Sequence, residues 1–117
     1  AVMGGAAPAG MYPTPGSPHW QPATDIYECE DAVQVVAELP GLDKDQLSVT
    51  VEKGVLRIAG YRAKNLPDSV RHVHQMEIPY GSFVRYVRLP QCTDVDQISA
   101  KYENGYLIIE VPRNRRP

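Results

Sequence analysis

The chain has 117 residues, 43% of them apolar and 22% charged, with a formal net charge of −2. That length suits one domain and not two, the charge balance offers no basic field for nucleic acid, and no apolar run approaches the roughly 20 residues of a membrane span. The opening Ala1-Val2-Met3-Gly4-Gly5 has neither the basic nor the apolar region of a secretory signal. Two cysteines, Cys29 and Cys92, are too few for a disulfide framework. They read as reduced thiols of a cytoplasmic protein, with a single bridge between them left open.

Residues 1–23 are expected to form a flexible arm. Nine of the chain's 20 prolines and glycines lie in its first 22 residues, and the first charged side chain is Asp25. Too many prolines for a helix and too little alternation for a strand leave this stretch without a regular element. It is not simply hydrophilic, because Met3, Met11, Tyr12 and Trp20, the only tryptophan, sit in it without a charge beside them.

From Asp25 the period becomes two. Val33, Val35, Ala37 and Leu39 alternate with a second set until Pro40-Gly41 stops the strand. Asp43 to Gln46 has room for one helical turn before Leu47, Val49 and Val51 resume the alternation. Lys53-Gly54 turns the chain into Val55 to Ala59. A polar connection from Arg62 to Met76 follows, long for a small domain and therefore functional or disordered, with one short extended candidate at Val70-Arg71-His72-Val73-His74. Phe83 to Leu89 is the next strand, closed by Pro90. Ile98, Ala100 and Tyr102 alternate in the next, Asn104-Gly105 supplies a tight hairpin turn, and Tyr106 to Val111 ends at Pro112. Short strands between turn signals, without a sustained helical stripe, predict an all-β fold: an immunoglobulin-like antiparallel β-sandwich. Val36, Val55, Tyr106 and Ile108 fall on the other parity of their strands, and some of them must face something besides the core.

No chemistry-bearing constellation emerges. There is no phosphate-cradling glycine loop. His72 and His74 share a strand face without a nearby cysteine to complete a metal site. Asp68, Ser69 and His72 lie close in sequence, but on a loop too irregular to fix a nucleophile and an oxyanion hole. The chain is therefore expected to be no enzyme and to take no cofactor or metal. Apolar side chains on edge strands invite pairing with another chain instead.

Five segments in order then carry a likeness. They are Asp25-Ile26-Tyr27-Glu28; Ala37-Glu38-Leu39-Pro40-Gly41; the hairpin Val51 to Arg62 ending in Gly60-Tyr61-Arg62; Glu77, Gly81, Phe83 and Arg85 followed by Leu89-Pro90; and Ile98-x-Ala100 through Asn104-Gly105-Tyr106-Leu107 to Val111-Pro112. Together they resemble the small heat-shock proteins of bacteria and plants, whose shared unit is the α-crystallin domain, here residues 24–112. Ile78 and Tyr106 depart from the usual arginine and valine. The short basic tail, residues 113–117, lacks the I-x-I/V segment that family members usually dock on a neighbour's sheet edge.

The resemblance implies an ATP-independent holdase that binds partly unfolded client proteins through apolar surface. It implies a homodimer formed by strand exchange, and higher oligomers built from it, with Val70, Arg71, His72, Val73 and His74 as the exchanged strand and Arg85 pairing with a carboxylate near the interface. It places a groove for tails or clients between Leu47, Val49, Val51 and Ile98, Ala100, Tyr102. Met3, Met11, Tyr12 and Trp20 become the client-contacting arm, since soft and aromatic side chains re-pack against varied partners. The alternative is a p23-type CS module that binds one folded partner.

Overall fold

In a computed structural model, which describes residues 20–114, the alternating segments become seven strands. They are β1 (Thr24–Glu28), β2 (Ala32–Glu38), β3 (Leu47–Glu52), β4 (Val55–Arg62), β5 (Gly81–Arg88), β6 (Ser99–Glu103) and β7 (Tyr106–Pro112). All pair antiparallel, in a four-stranded sheet of order β1-β2-β7-β6 and a three-stranded sheet of order β3-β4-β5. This is the expected sandwich. The β3–β4 and β6–β7 hairpins turn where the sequence marks them: Lys53-Gly54 and Asn104-Gly105 all have positive φ, the backbone of a tight two-residue turn.

The core follows the parity. Val33, Val35, Ala37 and Leu39 face Leu107, Ile109 and Val111 within one sheet, and Leu56, Ile58, Phe83 and Val87 close over them from the other. The other parity meets solvent: Val36 lies opposite Ile108 on the outer face of the four-stranded sheet, both half-buried, and Tyr106 is exposed. At Gly60 the absence of a side chain is obligatory. A Cβ there would come within 2.5 Å of both the Phe83 ring and the Gln46 carbonyl, so Phe83 can lie across β4 only over a glycine.

The two strands at one flank, β3 and β6, are each introduced by the same device. Asp43-Lys44-Asp45-Gln46 and Asp94-Val95-Asp96-Gln97 form short 3-10 turns, with Asp43 and Asp94 accepting the backbone N–H of the residue two further on, at 3.1 and 3.2 Å. Such local caps fix the turn from sequence alone. They deliver Leu47 and Ile98 half-buried onto the core.

Candidate functional site

A sandwich of two sheets has two flanks where the sheets diverge, and here they differ. On one side β3 and β6 are both edge strands. Leu47, Val49, Val51, Ile98 and Tyr102 pack half-buried against the core cluster, while Ala100, on the inward parity of β6 opposite Ile109, is exposed. Tyr102 is pinned across the end of this seam: its hydroxyl donates to the Leu39 carbonyl at 2.5 Å and accepts the Leu42 N–H at 3.3 Å. The structure thus brings all six predicted groove residues to one flank.

The other flank, between β1 and β5, is covered by the chain itself. Trp20 forms an isolated parallel bridge with Phe83, Pro22 is buried, and the Ala23 carbonyl accepts the Glu38 N–H. The Trp20 indole packs on Phe83 with ring centroids 5.0 Å apart and donates its Nε1–H to the Gly81 carbonyl at 3.2 Å. Trp20, expected in the flexible arm, thus lies half-buried against β5, where its ring meets Phe83. Met3, Met11 and Tyr12 lie outside the described residues.

Arg62 organises this flank, and sequence reasoning passed over it. On the inward parity of β4 it is 8% exposed. Its Nε and Nη2 donate to the Pro79 carbonyl at 3.1 and 2.6 Å, its Nη1 to the Pro40 carbonyl at 3.0 Å, and its guanidinium lies 4.3 Å from the Trp20 ring centroid. Burial pushes its pKa below the ordinary arginine value, with Tyr80, Tyr102 and Glu38 acting in the opposite direction. One side chain ties together the base of the long loop, the turn after β2 and the segment that precedes β1. Its parity with Leu56 and Ile58 was the available signal. A strand-end arginine otherwise reads as solvated, and its acceptors lie 17 and 22 residues away.

Residues 63–80 contain no strand. The expected extended piece, Val70 to His74, is thus not a strand in the single chain; all five of its residues are exposed, with one turn hydrogen bond from the Val70 N–H to Pro67 at 3.3 Å. Leu66 and Ile78 are exposed in the same loop, and Ile26 and Tyr27 on the free edge of β1. Tyr27 donates its hydroxyl to Asp25 at 2.9 Å, and that carboxylate raises the phenol's pKa. Arg85 is half-buried beside this edge, and its Nη1 reaches the Pro22 carbonyl at 3.5 Å. Asp68, Ser69, His72 and His74 are exposed on the loop, and among the described residues no three metal-ligating side chains converge.

Residues 25–117 match the Hsp20/alpha crystallin family. The chain belongs to that family. It is 42% identical over 94 residues to an 18.3 kDa class I heat shock protein of Oxybasis rubra, covering 80% of this chain and 58% of that protein. It is 32% identical over 95 residues to small heat shock protein C2 of Rickettsia felis, covering 81% and 62%. The fold overlays on hspA from Xanthomonas axonopodis with a TM-score of 0.76 at 35% identity, covering 85% of this chain and 99% of that one. It also overlays on a small heat-shock protein from Xylella fastidiosa, described as having a distinct high order structure, with a TM-score of 0.75 at 35% identity, covering 84% and 90%.

This Hsp20-family chain spans about 58–62% of the length of those two curated relatives. Among the described residues no helix is long and apolar enough to cross a membrane. Among the described residues, free backbone edges carry apolar side chains beside them, and the buried Arg62 guanidinium is held by two carbonyls and an aromatic face.

Proposed function

We propose that this chain is the dimer-forming, client-holding part of an ATP-independent chaperone that keeps partly unfolded proteins from aggregating. The supporting observation is where its apolar surface lies. Leu66, Val70, Val73 and Ile78 are exposed on a loop without regular structure, and Ile26 and Tyr27 on an unpaired strand edge, while the core residues of β2, β4 and β7 are closed to solvent. Exposed apolar surface of an unfolding protein gains about 25 cal/mol per Å² on burial. Capture of this kind needs accessible area and no reaction.

The dimer uses the same physics. Val70 to His74 of one copy adds to the free edge of β1 of another, completing backbone hydrogen bonds that neither segment makes alone. Arg85 lies at this flank and gains its carboxylate from the partner. The seam of Leu47, Val49, Val51, Ile98, Ala100 and Tyr102 takes an extended apolar tail or client segment. The family match favours this reading over a p23-type module with one folded partner.

Light scattering from a thermally destabilised client, with no nucleotide added, tests the function. Near-stoichiometric amounts of this chain should suppress the signal; full aggregation at excess chaperone rejects the reading. Size-exclusion chromatography with light scattering tests the dimer. A variant lacking residues 66–76 should run as a monomer, and a persistent dimer rejects strand exchange.

A further inference from the structure

We propose that the cleft formed by Arg62, Gly81 and Phe83 is a binding site for an aromatic side chain of an extended client segment, held shut in the resting chain by Trp20. This rests on the client-holding reading above and goes beyond it, because it makes Trp20 an occupant that clients replace rather than an arm residue that touches them.

The contacts that hold Trp20 are contacts any aromatic side chain on an extended strand could reproduce in part or whole. The β4–β5 register sets Arg62 opposite Gly81 and Gly60 opposite Phe83, so the Phe83 ring lies across β4 over the glycine and carries a second ring on its outer side. The Phe83 ring offers a tilted partner at 5.0 Å and 50°, within the preferred range for aromatic pairs. The guanidinium at 4.3 Å supplies a cation to the ring face. The Gly81 carbonyl accepts an indole N–H. Arg62 needs no ligand to stay in place, since three hydrogen bonds to Pro79 and Pro40 hold it. The cleft is built before it is filled.

The cover's backbone pairing with β5 is slight. Trp20 meets β5 through one isolated bridge rather than a ladder, and two residues on, Pro22 has no N–H to continue the pairing. β5 is an edge strand. A segment entering parallel to β5 could therefore take the Trp20 bridge and continue past Phe83. A cavity of about 260 Å³ shares Arg62 as a wall with Pro40, Ile78 and Tyr80, which gives the segment room for a second apolar side chain.

Exchanging one aromatic ring for another leaves the cleft's own contacts nearly unchanged, so concentration decides the occupant. A short tether holds Trp20 at an effective concentration of about 1 mM. With a Kd of about 0.1 mM for the Trp20 ring itself, that concentration weakens any competing ring about tenfold. Isolated aromatic side chains compete poorly; unfolded segments that add backbone pairing along β5 displace the latch.

Trp20 is the only tryptophan, so its emission reports the latch directly. The probe is a fluorescein-labelled, tryptophan-free extended peptide with one phenylalanine among alternating valines, beside its Phe→Ala counterpart. On titration into the full chain, Trp20 emission should shift to the red and become more accessible to iodide, with the same half-saturation as the peptide's anisotropy. The Phe→Ala peptide should leave the emission unmoved. Trp20→Ala, checked for native circular dichroism, should bind the phenylalanine peptide about tenfold more tightly. Peptide binding with unmoved Trp20 emission, no detectable peptide binding, or a Trp20→Ala variant that binds no more tightly, overturns the proposal, and aggregation suppression by the same preparation would then leave the holdase reading standing. If suppression fails while the peptide still displaces Trp20, the cleft stands and the holdase reading falls.

Discussion

The two flanks of the sandwich sit over one core and are finished in opposite ways. Between β1 and β5 the chain folds its own segment back, and Trp20, Pro22 and Arg62 close the gap with stacking and hydrogen bonds. Between β3 and β6, among the described residues, Leu47, Val49, Val51, Ile98 and Tyr102 are left half-buried with Ala100 open beside them. A sheet edge is a liability unless it is covered, paired or charged. Here the segment from Trp20 to Ala23 covers the β5 side of one flank in cis, while the free edge of β1 and the β3–β6 seam stay open.

Substitutions at the two flanks should therefore separate stability from binding. The largest loss of stability is expected at the covered side. Phe83→Ala removes a fully buried ring that carries Trp20, at roughly 4 kcal/mol, and thermal unfolding by circular dichroism should fall by about 4–8 °C for each kcal/mol lost. Arg62→Leu comes next. It leaves the Pro40 and Pro79 carbonyls without their donor, costs about 2 kcal/mol, and should move Trp20 emission to the red because the cleft loses its wall. A Phe83→Ala variant that unfolds like the wild type would show that the flank is not part of the folding core.

The exposed side should behave conversely. Val70→Asp with Val73→Asp changes two loop side chains without core contacts, so urea unfolding should stay within about 0.5 kcal/mol while the light-scattering mass falls from dimer to monomer. Ala100→Lys is the mildest change, again within about 0.5 kcal/mol, and should weaken aggregation suppression by placing a charge in the open seam. Unaltered suppression would remove that seam from the binding surface.

Most of the sandwich was legible in the sequence because its determinants are local. The alternation of Val33, Val35, Ala37 and Leu39 set a buried face, Pro40-Gly41 ended it, and Lys53-Gly54 and Asn104-Gly105 announced their turns. Resemblance, rather than periodicity, assigned the groove residues and the exchanged strand their roles, while the long loop stood out by its length. What stayed hidden is non-local. Near Arg62 only its parity with Leu56 and Ile58 points to burial, and its acceptors come from two distant turns. Trp20 read as part of a proline-rich arm, while the site that holds it is made 61–63 residues later by Gly81 and Phe83. Val70 to His74 has the composition of a strand but pairs with none of the described edges of its own chain.

Hydrogen exchange on the full chain, with and without a destabilised client, tests most directly whether capture happens on edges over a closed core. Bound client should slow exchange at β5, in residues 63–80 and along the β3 and β6 edges, with amides of β2, β4 and β7 unchanged. Client binding that speeds exchange in β2 and β7 would mean that the sandwich opens to hold its partners, and would contradict capture on edges.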